Sequence, residues 1–215
     1  MSARAVNRIP RPLLAAAALL VGAATLGTPA RAADTYKLDP AHTNVGFTVR
    51  HFFSKVPGRF TKFDGTIAYD DKDITQSKVE VSIDTASIDT TVPDRDKHLK
   101  SPDFFDAEKY PKITFTSTKV KPNGNNKMQI EGNLTIRGIT KPVVLDVDSL
   151  GAGPDAWGGY RAGFEAHTKI NRQDFGVSWN KVLEGGGTML SDDVDIVISI
   201  EAIKQVPKAA DAAKK

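Results

Sequence analysis

Alternation of apolar and polar residues, held over nine positions and repeated along the chain, limits what this sequence can fold into. Val45, Phe47, Val49, His51 and Phe53 share one face of a segment whose other face carries Asn44, Gly46, Thr48, Arg50 and Phe52. Met128, Ile130, Gly132, Leu134 and Ile136 oppose Gln129, Glu131, Asn133, Thr135 and Arg137. Val194, Ile196, Ile198, Ile200 and Ala202 oppose Asp193, Asp195, Val197, Ser199 and Glu201. A helix cannot keep a period of two for so long, whereas a half-buried antiparallel strand must.

Shorter stretches of the same kind fill the intervals: Phe63–Tyr69, Val79–Ile83, Ile113–Phe115, Val143–Val147 and Tyr160–Ala166. Turn residues separate them at Pro57-Gly58, at 122–125, at Gly138 with Lys141-Pro142, and across Gly151–Gly159. The pattern predicts eight strands. One segment departs from it, Pro93–Pro111, where Ser101-Pro102-Asp103 has the order of a helix start. A short helical crossover is therefore expected between strands 3 and 4, with Arg95 and Asp96 as an internal pair fixing the turn. Eight antiparallel strands with one apolar face can form a sandwich or a closed barrel, and a barrel leaves no edge strand. Gly65, Gly132, Ala162 and Ala166 fall on apolar faces opposite large aromatics. They fit an elongated void and a solid core equally well.

Composition bears on compartment and partners. The chain has 215 residues, 40% hydrophobic and 26% charged, which is globular composition. Of its 29 basic residues, Arg4, Arg8, Arg11 and Arg31 lie in the first 32 positions, which hold no acid. The remainder carries 25 bases against 26 acids, so the net positive charge belongs to the leader and points to no nucleic-acid partner. That leader has an arginine-bearing start, the apolar run Leu13–Leu26 and a small-x-small site at Ala30-Arg31-Ala32. Residues 1–32 read as a signal peptide cleaved near Ala32, 33–206 as one barrel domain, and 207–215 as a mobile tail. The expected location is periplasmic or secreted. Cysteine is absent, which excludes disulfides, thiolate metal sites and cysteine nucleophiles. His42, His51, His98 and His167 show no paired ligand spacing, so no metal is expected. No nucleophile elbow or nucleotide loop is present, and Gly185-Gly186-Gly187 lacks the context of a phosphate loop.

Several blocks in order resemble the YceI-like lipid/polyisoprenoid-binding family. They are Asp39–Thr43 running into Phe47–His51, Gly58–Phe60 with Phe63–Gly65, and Ala86–Thr90. Arg95–Asp106, Tyr110-Pro111, Phe115–Thr118, Gly132–Val143 and Ile170–Val177 follow. The resemblance spans about Tyr36 to Ile203 and implies an all-β, extended eight-stranded antiparallel barrel, lipocalin-like, with an open bore. It implies a bound isoprenoid, a polyprenyl or isoprenoid quinone, as ligand; since such binding requires only burial and no catalytic motif is present, no other cofactor and no enzymatic activity are expected. Candidates for the cavity wall are Phe47, Val49, Phe53, Phe60, Phe63, Ile83, Phe115, Leu134, Ile136, Phe164 and Phe175. Leu99, Phe104 and Phe105 are candidates for a mouth beneath the crossover. His51 lies on the apolar face and reads either as a head-group ligand or as a core histidine. Alternative readings are an accessory module that docks on a membrane redox protein (cytochrome b561-like) to handle its quinone, and an enzyme acting on such a lipid. A homodimer stays open.

Overall fold

The computed structural model describes residues 33–206. The expected leader and tail lie outside them. The first three long strands are each broken once. β1 (Asp34–Leu38) and β2 (Asn44–His51) are two halves of one run, as are β3 (Ser54–Phe60) and β4 (Phe63–Tyr69). β5 (Lys78–Asp84) and β6 (Ile88–Asp89) flank a single 3-10 turn at Thr85–Ser87. After α1 (Pro93–Lys100) come β7 (Lys112–Pro122), β8 (Lys127–Ile136), β9 (Ile139–Pro154), β10 (Tyr160–Asn171) and β11 (Leu190–Lys204).

Every pairing is antiparallel. The order β1-β4-β5-β7-β8-β9-β10-β11 closes on itself through β1–β11. Toward its start, β11 pairs instead with β2, and β2-β3-β6 continues the wall there. Counting broken runs as one, eight strands close an antiparallel barrel, as the alternation predicts. Met128, Ile130, Gly132 and Ile136 of β8 are buried while Asn133 is exposed, so the apolar set points inward.

The breaks have local causes. At the β1–β2 break, Pro40 has no N–H to give to a ladder. The chain is held there instead by Asp39 N–H donating to Glu201 O (2.8 Å) and Thr43 Oγ1 donating to the same carbonyl (3.0 Å). At the β5–β6 break Asp84 accepts from Ala86 N–H (3.0 Å), capping the 3-10 turn, and Thr61 N–H bridges to Ser87 O (3.1 Å).

Some expected boundaries move. Pro57-Gly58 lies within β3, opposite Thr48 and Phe47, and the first hairpin turns instead at Phe52-Phe53. Lys141-Pro142 lies within β9; the β8–β9 turn is Arg137-Gly138, with φ of 51° and 74°. The helix precedes its expected place. Pro93 occupies its first turn, and Ser101 ends it by donating from both N–H (3.1 Å) and Oγ (2.8 Å) to His98 O. A serine before proline suits a helix start, but the residue preceding a proline is also pushed out of the helical region.

The interior divides into two clusters. One is packed solid around Tyr36, Ile67, Val120, Val147, Phe164 and Ala202. In it Tyr69 sets its ring edge-on to both Tyr36 (6.4 Å) and Phe164 (5.3 Å). The other gathers Val45, Phe60, Phe104, Ile113, Ile136, Phe175 and Val177 around a space.

Candidate functional site

That space is a cavity of ≈ 360 Å³. β2 contributes Val45, Phe47, Val49 and His51 to its wall, and β3 contributes Val56 and Phe60. Ile83, Ile113, Phe115, Leu134 and Ile136 come from β5, β7 and β8. β11 gives Val194, Ile196, Ile198 and Ile200, one face of one strand. Leu99, Phe104 and Phe105 from the crossover, with Phe175, Val177 and Trp179, complete the lining. Alternation builds the wall: every second side chain of an antiparallel strand must face the bore.

Two aromatic rings are seated against glycines of the wall. Gly58 sits directly opposite Phe47 in the ladder, and a Cβ there would overlap the Phe47 ring. Gly132 receives the Phe115 ring in the same way. A large ring over a missing side chain adds apolar wall without closing the bore.

Polar groups collect at the crossover end. Arg95 donates from Nε to Thr90 Oγ1 (2.7 Å) and from Nη2 to Thr90 O (2.7 Å). Asp96 accepts from Thr90 N–H (2.9 Å) and from its hydroxyl (2.5 Å). Arg95 and Asp96 thus fix the turn through Thr90, not as the expected direct pair. His98 Nε2 meets Asp103 Oδ2 (2.7 Å), with its ring edge-on to Phe104 and Trp179. Arg172, 6% exposed, donates to the carbonyls of Ser191, Val177 and Trp179. Thr90, Arg95, His98 and Arg172 all reach the cavity lining.

Of the residues expected to line a bore, twelve do so, His51 among them. Three do not. Phe53 stands at the β2–β3 turn, fully exposed, because β2 ends at His51 and the alternation stops with it. Phe164 is buried in the solid cluster against Tyr69. Phe63 packs between the two clusters and is not on the cavity wall. Sequence reasoning did not assign the β11 set, although its alternation was visible. Trp179, Met189 and Leu190 lie in or beside irregular segments, where periodicity gives no signal.

A second polar cluster sits at the β1–β2 break. Asp39, His42 and Glu201 place three ligand atoms close together. Arg161 Nη1 donates to Asp39 Oδ2 (2.5 Å) and also to Glu201 Oε1, and its Nε donates to Asp155 Oδ2 (3.1 Å). The guanidinium is the cation of this cluster, so its oxygens are already committed. The His42 and Arg161 hydrogen bonds hold the Asp39 carboxyl down to about 2.

An eight-stranded closed barrel, solid at one end and hollow at the other, defines the lipocalin-like class of cavity-bearing β-proteins. Residues 36–202 match the model of the YceI-like domain, and the chain belongs to that family. It is similar to protein YceI of Escherichia coli O157:H7, 44% identical over 173 residues, covering 79% of this chain and 87% of the relative. A crystal structure of the Campylobacter jejuni YCEI protein has 37% identity and a TM-score of 0.64, covering 79% of this chain and 97% of that one. A polyisoprenoid binding domain from Saccharophagus degradans shares the fold at 15% identity and a TM-score of 0.56, covering 79% and 98%.

Proposed function

We propose that this chain is a periplasmic binding protein that holds an isoprenoid, a polyprenyl or isoprenoid quinone, with its chain in the barrel and its head at the crossover end. The observation that carries the reading is the cavity itself: a bore walled by apolar side chains, blind at the Tyr36–Phe164 end, with Thr90, Arg95 and His98 at the other. A long apolar chain is nearly insoluble in water, and each CH₂ moved into such a bore contributes about 0.8 kcal/mol. A few polar groups suffice to orient a head. The leader at 1–32 supports the compartment, and the fold shared with a polyisoprenoid binding domain supports the ligand class. No bond needs to be made or broken for this role.

Mass spectrometry of organic extracts from natively purified protein tests it. A stoichiometric isoprenoid is the expected result. Phe47→Asp, which puts a charge in the middle of the wall, should abolish retention while the barrel still folds. Extracts free of long-chain lipid, or full retention by a folded Phe47→Asp variant, would overturn the reading.

A further inference from the structure

The β2–β3 hairpin turns on two residues, Phe52 and Phe53, since His51 pairs with Ser54. Two-residue hairpin turns favour Asn and Gly, because the backbone must enter the left-handed region. Here Phe52 does so, at φ 49°, a conformation that costs free energy for a bulky side chain. Its neighbour Phe53 projects wholly into solvent, at 104% relative exposure. Phe52 is half-buried, its ring edge-on to His51 (4.6 Å), but neither burial nor turn chemistry accounts for Phe53 at this tip.

A second tip stands beside it. Residues 181–189 fold back as a small hairpin through the Val182–Thr188 bridge, and Phe52 N–H donates to Met189 O (2.9 Å), tying the tips together. Val182 on this second tip is 76% exposed. Immediately behind lie Arg50 and Lys55, directly opposite each other in the ladder and both exposed, and Lys181 at the base of the second tip. Like charges in direct cross-strand register repel. Glu184 is the single acid of the two tips, whereas the chain beyond residue 32 is almost neutral overall. Both tips border the hollow end of the barrel: His51, Val56, Met189 and Leu190 belong to the cavity wall.

We propose that the Phe53 and Val182 tips, with Arg50, Lys55 and Lys181 behind them, form a docking surface that seats the cavity end of the barrel on an anionic phospholipid bilayer. The two apolar side chains enter the acyl boundary and the three cations meet lipid phosphates, the division of labour of an interfacial anchor. An anionic surface also relieves the Arg50–Lys55 repulsion. The purpose assigned to this surface rests on the carrier reading, since a membrane is where an isoprenoid is loaded or delivered. Trp157, 81% exposed, is the competing candidate, but it belongs to the β9–β10 turn beside the solid end and is partnered by Arg161, 5.6 Å from its ring.

Flotation of the natively purified chain with vesicles separates the possibilities. Vesicles of phosphatidylethanolamine and phosphatidylglycerol should carry it, phosphatidylcholine vesicles much less, and added salt should release it. Phe53→Ser should weaken binding by at least about tenfold, and Lys55→Glu with Lys181→Glu should remove the preference for anionic lipid. Trp157→Ala should float like the unaltered chain. No binding to anionic vesicles, a Phe53→Ser variant that floats normally, or a loss confined to Trp157→Ala would overturn the proposal. Flotation that survives while extracts contain no isoprenoid would leave this surface standing and sink the carrier reading instead.

Discussion

At the scale of single residues, the Gly58–Phe47 pair tells a hollow barrel from a filled one. Alanine in place of a strand glycine ordinarily stabilises by about 0.5–1 kcal/mol. At position 58 the new methyl overlaps the Phe47 ring, which must swing away from the wall. In a close-packed interior such crowding costs about 1–3 kcal/mol. Here the ring has the cavity to move into. Gly58→Ala should therefore change the unfolding free energy measured in urea by less than about 1 kcal/mol while lowering isoprenoid affinity on the order of tenfold. Ala162→Val, at a 1% exposed position in the solid cluster, should show the reverse: the full packing cost and unchanged lipid binding. Equal costs at both sites in melts and lipid titrations would mean that the two ends are packed alike. Arg172 illustrates a different residue-scale constraint. Its guanidinium answers three carbonyls of irregular backbone beside the cavity, so a lysine, with a single ammonium, cannot replace its fork.

At the scale of elements, the β1–β2 break is held by charge. Asp39 has a folded-state carboxyl pKa of about 2 against an ordinary 3.8. A depressed carboxyl stabilises the fold above its unfolded value and loses that contribution as pH falls through the folded one. Asp39→Asn should therefore be less stable than the unaltered chain at neutral pH, with the gap closing as pH falls from 3.8 toward about 2. A gap that stays constant across that interval in denaturant melts would show that the carboxylate's charge contributes nothing to the break. How far the elements were legible follows from the same physics. Eight strands, the crossover and most inward faces were legible because side-chain direction alternates locally, whatever the rest of the chain does. The breaks were not. They depend on partners far along the chain, such as Glu201 for Asp39 and Ser87 for Thr61. Phe53 shows the limit within one strand: its parity is right for the wall, but a turn one residue earlier removes it. The helix lies earlier than expected because Leu99 is the one large apolar side chain in α1 after Pro93, so no apolar stripe marks its extent.

At the scale of the whole barrel, the cavity is a consequence of unequal filling. Alternation supplies the same kind of wall along the entire length, and that much of the site could be read in advance. Which half stays open could not be, because it depends on tyrosine and phenylalanine rings contributed by β1, β4 and β10 meeting across the bore. Phe164 carries the same sequence signature as Phe47 and closes one end, while Phe47 lines the other. The division predicts an uneven response to the ligand. The solid cluster buries Val120, Ala162 and Ala202 and needs no guest. The hollow cluster exposes its apolar wall to water once the guest is removed, and water in such a space gains too few hydrogen bonds to compensate. Delipidated protein should therefore stay folded, melt at a lower temperature by the linkage between binding and stability, and lose amide protection selectively. Faster exchange is expected in β2, β3, α1 and the 181–189 hairpin, with the start of β8, the end of β9 and the start of β10 nearly unchanged. Hydrogen exchange on loaded and stripped samples checks this, and a uniform rise along all strands would show that the barrel responds as one cooperative body, with no independent solid end.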